Sequence, residues 1–188
     1  MKRVFMVHGW DGNPKNAWFP WLKKELEKNG FVVFTPLMPK PEEPKIDKWV
    51  NYLKEDVGVP DKDTYFVGHS IGCQTILRYL ERVETPVGGC VFVAGFFNLP
   101  NLETEEEKEI AKPWLSLPID FEKVKRCTNK IVAIFSDDDP DVPIEDKELF
   151  EKHLNAKTIV EHNKGHFSDD AGITELPSAL NTLLDISK

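Results

Sequence analysis

The sequence predicts an α/β protein, a three-layer sandwich with a mostly parallel, doubly wound sheet of about six strands in one domain over residues 1–188. Short continuous apolar runs, rich in β-branched and aromatic residues, recur along the chain, as in strands that are buried on both faces. Stretches with the apolar spacing of helices lie between these runs. This alternation of strand and helix is typical of parallel sheets with right-handed crossovers.

Six apolar runs are the predicted strands. They comprise residues 4–7, 31–34, 65–67, 90–93, 131–135 and the shorter run 158–160. None carries a charged residue, and each is short enough to cross one sheet. The order of the strands within the sheet does not follow from this spacing.

Five stretches have helical spacing. In the first, Trp18, Leu22 and Leu26 recur every four residues, with Asn16 as a candidate N-cap and Gly30 after the end. The second is marked by Trp49, Val50 and Leu53, with Asp47 as a candidate cap, and the third by Ile76, Leu77 and Leu80. The fourth is marked by Leu149, Phe150 and Leu154. The fifth is marked by Leu180, Leu183 and Leu184, with Pro177 in its first turn.

Two stretches interrupt the alternation. Residues 36–44 hold four prolines, which predicts an extended loop. Residues 96–128 contain an acidic run, 103–109, and we interpret them as a modest surface excursion near the C-terminal edge of the sheet, where ligands bind in this architecture. Apart from this excursion, the chain has no extra segment that could form a large cap domain over the edge of the sheet.

Composition limits the class of function. The net charge of −8 argues against binding to nucleic acid or to an anionic membrane. Three cysteines without a C-x-x-C pair give no disulfide framework and suit a reducing compartment. The longest apolar run is too short to span a membrane. We expect a soluble, cytoplasmic protein.

Three distant segments carry the chemistry. Residues 68–72 read Gly-His-Ser-Ile-Gly, residues 139–143 read Asp-Pro-Asp-Val-Pro, and residues 165–167 read Gly-His-Phe. A single G-x-S-x-G match is common by chance, but three matching segments in suitable contexts are not. The order Ser, Asp, His is that of the α/β-hydrolases.

Ser70 is the predicted nucleophile, on a sharp strand-to-helix turn flanked by Gly68 and Gly72. His166 is the predicted base, since a loop histidine there can accept the serine proton and return it to the leaving group. His162, four residues upstream, is the rival for this role. A plain turn with Ser70 as a helix cap would leave the other two segments unexplained.

The acid must come from the aspartate run at 137–139 and 141. Asp139 is favoured because it is displaced from the strand end and precedes a proline, and Asp138 is the alternative. The same run places carboxylates at five ligand positions of an EF-hand loop, but Val142 stands where that loop needs glycine, so we predict no metal site.

The oxyanion hole requires backbone N–H groups. We expect them from Ile71, the residue after the nucleophile, and from Trp10, in the glycine-containing loop after the first strand. Trp10, Phe96, Phe97 and Trp114 are candidate walls of an apolar acyl pocket, and each is equally compatible with a place in the core.

The sequence resembles the α/β-hydrolase superfamily over nearly its whole length, and within it the small lidless serine hydrolases of the YdeN and retinoblastoma-binding type. The matching pieces are His8-Gly9, residues 67–73, residues 93–96, residues 136–140 and residues 165–167. The resemblance implies the sheet order of that fold, the acid role for Asp139 and hydrolysis of small esters, thioesters or amides. The chain lacks an L-x-C-x-E stretch, so retinoblastoma-protein binding does not carry over.

The functional prediction is a carboxylesterase-like serine hydrolase that forms an acyl-enzyme on Ser70, with a small-molecule acyl substrate and no cofactor. The alternative is a binding or scaffold protein of the same fold with an unused triad. We also expect short acyl groups to be preferred, because so short a chain has little material for a deep lid or tunnel.

Overall fold

The structure, a computed structural model that describes residues 1–188, contains one sheet of six parallel strands flanked by seven helices. The strands are β1 (Arg3–Val7), β2 (Val32–Phe34), β3 (Thr64–His69), β4 (Gly89–Val93), β5 (Ile131–Ser136) and β6 (Lys157–Glu161). The helices are α1 (Phe19–Lys28), α2 (Ile46–Val57), α3 (Ile71–Leu80), α4 (Glu105–Ser116), α5 (Phe121–Cys127), α6 (Asp146–Leu154) and α7 (Pro177–Ile186). The predicted fold class is confirmed.

The strand order positions the site. It runs β2-β1-β3-β4-β5-β6, so the chain steps from β1 outward to β2 and then returns to the other side of β1. In open parallel sheets, ligands bind beside the carboxyl ends of the strands at such a reversal. Here the reversal lies between β1 and β3. His8 and Gly9 follow β1, and Ser70 follows β3.

Two apolar cores cover the faces of the sheet, and alternate residues of the four inner strands enter different cores. Phe5 and Val7 of β1 join the larger core, which is completed mainly by α2, α3 and α6. Val4 and Met6 join the smaller core, which is completed by α1 and α7. All four side chains are fully buried. The continuous apolar runs of the sequence follow from this burial on both faces.

Two helix caps differ from the prediction. The first helix has Trp18, not Asn16, at its N-cap, because Pro20 occupies the first turn and fixes where the helix begins. The second helix begins after Lys45, which leaves Asp47 inside the first turn. A carboxylate there still stabilises the helix, since it lies beside the positive end of the helix dipole.

The excursion at 96–128 folds into α4 and α5. Thr104 and Glu107 form a capping box at the start of α4: the Thr104 hydroxyl accepts from the Glu107 N–H, and the Glu107 carboxylate accepts from the Thr104 N–H. At the other end of α4, the buried Arg78 of α3 donates to the carbonyl oxygens of Trp114 and Leu117. The excursion is thus fixed to α3. None of the seven helices is both long enough and apolar enough to cross a bilayer.

Candidate active site

Ser70 lies on a strained turn between β3 and α3. Its φ of 53° and ψ of −121° are rare for a residue with a side chain. The turn fits because the residues two positions to either side, Gly68 and Gly72, have no side chain. A Cβ on Gly72 would clash with the carbonyl oxygen of Val7, and one on Gly68 would lie 2.8 Å from the amide nitrogen of Cys73. The turn therefore packs α3 directly against β1 and β3.

The loop after β1 packs against Ser70. A Cβ on Gly9 would lie 3.2 Å from the Cβ of Ser70, a tight contact that would force one of the two segments to shift. The indole of Trp10 donates to the carbonyl oxygen of Glu42 at 3.0 Å, which ties this loop to the proline-rich loop. The backbone N–H of Trp10 makes no hydrogen bond, and neither does that of Ile71 at the first position of α3. Two free donors therefore lie in the segments beside Ser70.

His166 follows β6 and is paired with Asp139. Its Nδ1 lies 2.9 Å from Oδ2 and 3.1 Å from Oδ1 of Asp139. The side chains are 16% and 2% exposed, respectively, so the pair is shielded from water. The Asp139 carboxylate is held by the backbone N–H groups of Asp141 and Val142. Since Nδ1 faces a carboxylate, it carries a proton, and Nε2 is left as the free ring nitrogen.

Ser70 and His166 line one cavity of about 770 Å³ at the C-terminal edge of the sheet. Ser70 is only 7% exposed. Its hydroxyl makes no hydrogen bond within the chain, and His166 Nε2 makes none either. The structure therefore places the predicted nucleophile and base in the same cavity without a formed bond between them. Such bonds are often long before substrate binds.

The other aspartates of the run face other partners. Asp137 pairs with His162, whose pKa the carboxylate raises, and accepts from the N–H of Asn163. Asp138 accepts from the Ser136 hydroxyl and from the N–H of Gly165, and these bonds lower its pKa. The rival base His162 is thus bound to a different carboxylate.

One place could gather three metal-ligating groups. Asp139, Asp141 and His166 have ligand atoms within 4.8 Å of one another. This group is the His166–Asp139 pair with Asp141 beside it, 3.8 Å from Nδ1. Of the other carboxylates in the EF-hand-like spacing, Asp137 is bonded to His162 and is not part of this group.

Two further histidines, His8 and His69, line the cavity. His8 donates through Nδ1 to Gly9 O and accepts the Met38 N–H at Nε2, and burial lowers its pKa. His69 lies 2.8 Å, through Nε2, from the backbone carbonyl oxygen of His166. Burial lowers the pKa of His69 to about 3. Both imidazoles are neutral at pH 7 and serve as fixed hydrogen-bonding groups.

Only part of the expected pocket wall lines the cavity. Trp10 and Phe96 do so. Trp114 does not: it is 1% exposed, packs against Trp49 and donates to the carbonyl oxygen of Pro44. Phe97 does not either, because its ring turns to Phe150, at 4.7 Å between centroids. The expectation for Trp114 and Phe97 is corrected accordingly: both support the core.

Two residues that the sequence analysis did not consider hold the loop after β4. Asp146, at the start of α6 and 1% exposed, accepts from the N–H groups of Phe97 and Asn98. Gln74, one turn after Ser70 on α3, donates to the carbonyl oxygen of Phe96 at 2.8 Å. Together they fix the backbone that presents Phe96 to the cavity. Gln74 could have been found from the sequence, because it is a polar residue on the inner face of the helix that follows Ser70.

The six-stranded sheet, the glycine-flanked serine after β3 and the histidine after β6 define the fold as that of an α/β-hydrolase. The chain belongs to the serine hydrolase family, whose model matches residues 4–185. The resemblance seen in the sequence is thereby confirmed.

Individual relatives agree with this assignment. The chain is 32% identical to the protein YdeN of Bacillus subtilis over 185 residues, 97% of this chain and 94% of YdeN. It is 27% identical to the serine hydrolase RBBP9 of Rattus norvegicus over 155 residues, 82% of this chain and 80% of that protein.

Solved structures show the same fold. The crystal structure of the B. subtilis ydeN gene product superimposes with a TM-score of 0.90 at 31% identity, covering 99% of this chain and 98% of that one. Est1E of Butyrivibrio proteoclasticus, with ferulic acid bound, superimposes with a TM-score of 0.75 at 17% identity, covering 100% and 90%.

Proposed function

We propose that the protein hydrolyses small esters, thioesters or amides through an acyl-enzyme on Ser70. The observation that carries this proposal is the shielded His166–Asp139 pair, whose histidine lines the same cavity as an unbonded, nearly buried serine hydroxyl. A serine hydroxyl needs a neighbouring base to become a nucleophile. The free Nε2 of His166 is the base that this cavity offers.

In the proposed reaction, Ser70 Oγ attacks the substrate carbonyl carbon while His166 Nε2 takes the hydroxyl proton. His166 then gives this proton to the leaving alcohol, thiol or amine, and the bond to that group breaks. A water molecule repeats the sequence on the acyl-enzyme and releases the acid. Asp139 holds the ring through Nδ1 and stabilises the imidazolium that forms twice in each cycle.

The oxyanion of each tetrahedral intermediate needs donors that are fixed before the reaction. The free N–H groups of Trp10 and Ile71 are the proposed donors. The Ile71 N–H also lies at the N-terminus of α3, where the helix dipole favours negative charge. Gly9 supports this assignment, since its contact with Ser70 brings the Trp10 segment to the nucleophile.

Labelling with a fluorophosphonate tests the proposal. The reagent forms a bond from Ser70 Oγ to phosphorus and releases fluoride, which intact mass detects. We expect Ser70→Ala to abolish labelling and to lower turnover by roughly a millionfold. Ser168, which lines the same cavity, gives the matched control, and Ser168→Ala should label normally. Failure of the folded wild-type protein to label would favour the binding or scaffold alternative.

The proposed acyl preference is for short chains. A series of p-nitrophenyl esters of increasing chain length measures it directly. We expect kcat/KM to be highest for the esters with short acyl chains. A maximum at the longest ester would contradict this preference but would leave the proposed role of Ser70 as nucleophile unchanged.

A further inference from the structure

The cavity that holds Ser70 is lined by carboxylates and by no lysine or arginine. Eight of its 26 lining residues are Asp or Glu, although the whole chain contains 24 Lys and Arg. Two of the lining histidines, His8 and His69, do not offset this charge at neutral pH, because burial lowers the pKa of His8 and brings that of His69 to about 3. The negative charge at the cavity therefore far exceeds what the net charge of −8 spread over the surface would give.

Three of the eight carboxylates are engaged within the protein. Glu107 caps α4, Asp169 accepts from the N–H of Ala17, and Asp141 lies beside His166. The side chains of the other five make no hydrogen bond and no ion pair. These are Asp11, Glu42, Glu103, Glu106 and Asp170. They belong to four separate segments, so the charge surrounds the cavity instead of lying on one side.

No lysine or arginine lines the cavity to bind an anion. The N-terminus of α4 lies at the cavity, but the carboxylates of Glu105, Glu106 and Glu107 in its first turn oppose an anion there, and the capping box already engages the N–H groups of Thr104 and Glu107. A second observation indicates a ligand site: Ser70 lines the cavity, is only 7% exposed, and its hydroxyl has no hydrogen-bond partner within the chain. The acidic residues thus surround a reactive group.

We propose that the substrate of this cavity is an acyl compound that carries a positive charge, an ammonium or guanidinium group, beside the bond that is broken. The inference rests on the proposed function. A ring of like charge in a cleft with low-dielectric walls raises the local concentration of oppositely charged ligands by about 10- to 1,000-fold. The unpaired carboxylates then hold the cation while Ser70 attacks the neighbouring carbonyl.

A matched pair of phosphorylating reagents tests this independently of acyl preference. One is the diethyl phosphorothiolate of choline thiol, S-(2-trimethylammonioethyl), and the other is its neutral isostere with a 3,3-dimethylbutyl group on sulfur. With each, the Ser70 Oγ–P bond forms, the P–S bond breaks, and the thiol leaves with the serine proton. The second-order rate constant follows from intact mass. At low ionic strength we expect the cationic reagent to react at least about tenfold faster.

Two double variants with the same change of net charge complete the experiment. Glu106→Gln with Asp170→Asn removes two unpaired carboxylates from the cavity and should lower the rate ratio by at least about threefold. Glu84→Gln with Glu109→Gln removes two unpaired carboxylates that do not line it. This second variant should keep the wild-type ratio, and an equal fall in both variants would contradict the proposal.

The outcomes separate the two proposals. If both reagents modify Ser70 in the wild type but the cationic reagent lacks the expected advantage, the charge inference is wrong and the hydrolase assignment stands. If neither reagent modifies Ser70 in the folded protein, the proposed function fails and the inference fails with it. If the cationic reagent reacts much faster than the neutral one and 0.5 M salt reduces this difference, the inference is supported, since salt screens exposed charges.

Discussion

The imidazole of His69 lies 2.8 Å, through Nε2, from the backbone carbonyl oxygen of His166. Because a carbonyl can only accept, Nε2 of His69 carries the hydrogen and donates it. The residue before the proposed nucleophile therefore holds the chain that carries the proposed base. The two rings lie 5.0 Å apart, and Gly9 packs on the other side of His69. His69 thus links all three loops of the site.

Removing this donor should slow catalysis more than it weakens substrate binding. In His69→Phe the ring volume is kept but the bond to His166 is lost, so the base can shift. A misplacement of about 1 Å can cost about a hundredfold in rate, so we expect kcat to fall by about ten- to a hundredfold with KM little changed. His69→Gln keeps an N–H donor of similar reach and should recover much of kcat. Equal kcat values in both variants would contradict a positioning role.

Stability should fall as the pH drops below 6.5. Burial lowers the pKa of His8, and that of His69 to about 3, so both stay neutral in the folded protein while the unfolded chain binds protons. The stability that each neutral histidine preserves is therefore fully present above its pKa in the unfolded chain and is lost as the pH falls below that value. For each histidine, the free energy of unfolding then falls by up to about 1.4 kcal/mol per pH unit. Urea unfolding at pH 7.0 and 5.5 measures the loss.

His162 acts in the opposite sense but in another pH range. Asp137 raises the pKa of His162, so the protonated His162 stabilises the folded protein fully below pH 6.5, and this stabilisation is lost only at higher pH. Between pH 6.5 and 5.5 the two buried histidines therefore determine the slope. His69→Gln should reduce that slope, and a wild-type stability that stays level across this range would show that the histidines protonate without unfolding.

Much of the site follows from local sequence signals, because its parts are local. The six strands were predicted from apolar runs, and in the four inner strands burial on both faces leaves little place for polar residues, whereas the edge strands β2 and β6 are partly exposed. The turn at Ser70 was predicted from its two glycines, which the backbone contacts require. Both features leave a signal in a short stretch of sequence, although the contacts that require the glycine at position 72 come from β1.

The features that were missed depend on distant contacts. Trp114 resembled a pocket wall because it is aromatic and lies near the sheet edge, yet contact with Trp49 and Pro44 buries it. The helix α4 was missed because its first turn is acidic and Pro113 interrupts its apolar spacing. Asp146 gave no signal, since its partners, the N–H groups of Phe97 and Asn98, lie almost fifty residues away.

Gly72→Ala should destabilise the protein severely. The added methyl group would clash with the backbone carbonyl oxygens of Val7 and His8, which cannot move without shifting β1. Overpacking of this kind costs about 1–3 kcal/mol, and a backbone clash lies at the upper end. Gly172→Ala is the control: φ is +70° there, but no atom lies within 4 Å of the new methyl group. Thermal unfolding should show the larger loss for Gly72→Ala, and equal losses would mean that the turn at Ser70 tolerates a wider spacing.

The aspartate run gives the sharpest test of the proposed site. Asp139→Asn should leave the protein folded and slow catalysis by about ten-thousandfold, because an amide beside Nδ1 favours the wrong imidazole tautomer. Asp138→Asn should cost far less. Both hydrogen bonds to Asp138, from Ser136 and Gly165, end on the same oxygen, Oδ1, and asparagine keeps one such acceptor.

Asp138→Ala, by contrast, removes that acceptor, frees the loop that carries His166 and should lower both the melting temperature and kcat. A metal role predicts a different pattern, in which a chelator lowers the melting temperature of the wild type and Asp139→Asn and Asp141→Asn destabilise it alike. Activity and melting temperature of these variants, with and without chelator, therefore distinguish the two roles. If Asp138→Asn proves to be the inactive variant, the acid lies one residue earlier, and the bonds from Ser136 and Gly165 must open when substrate binds.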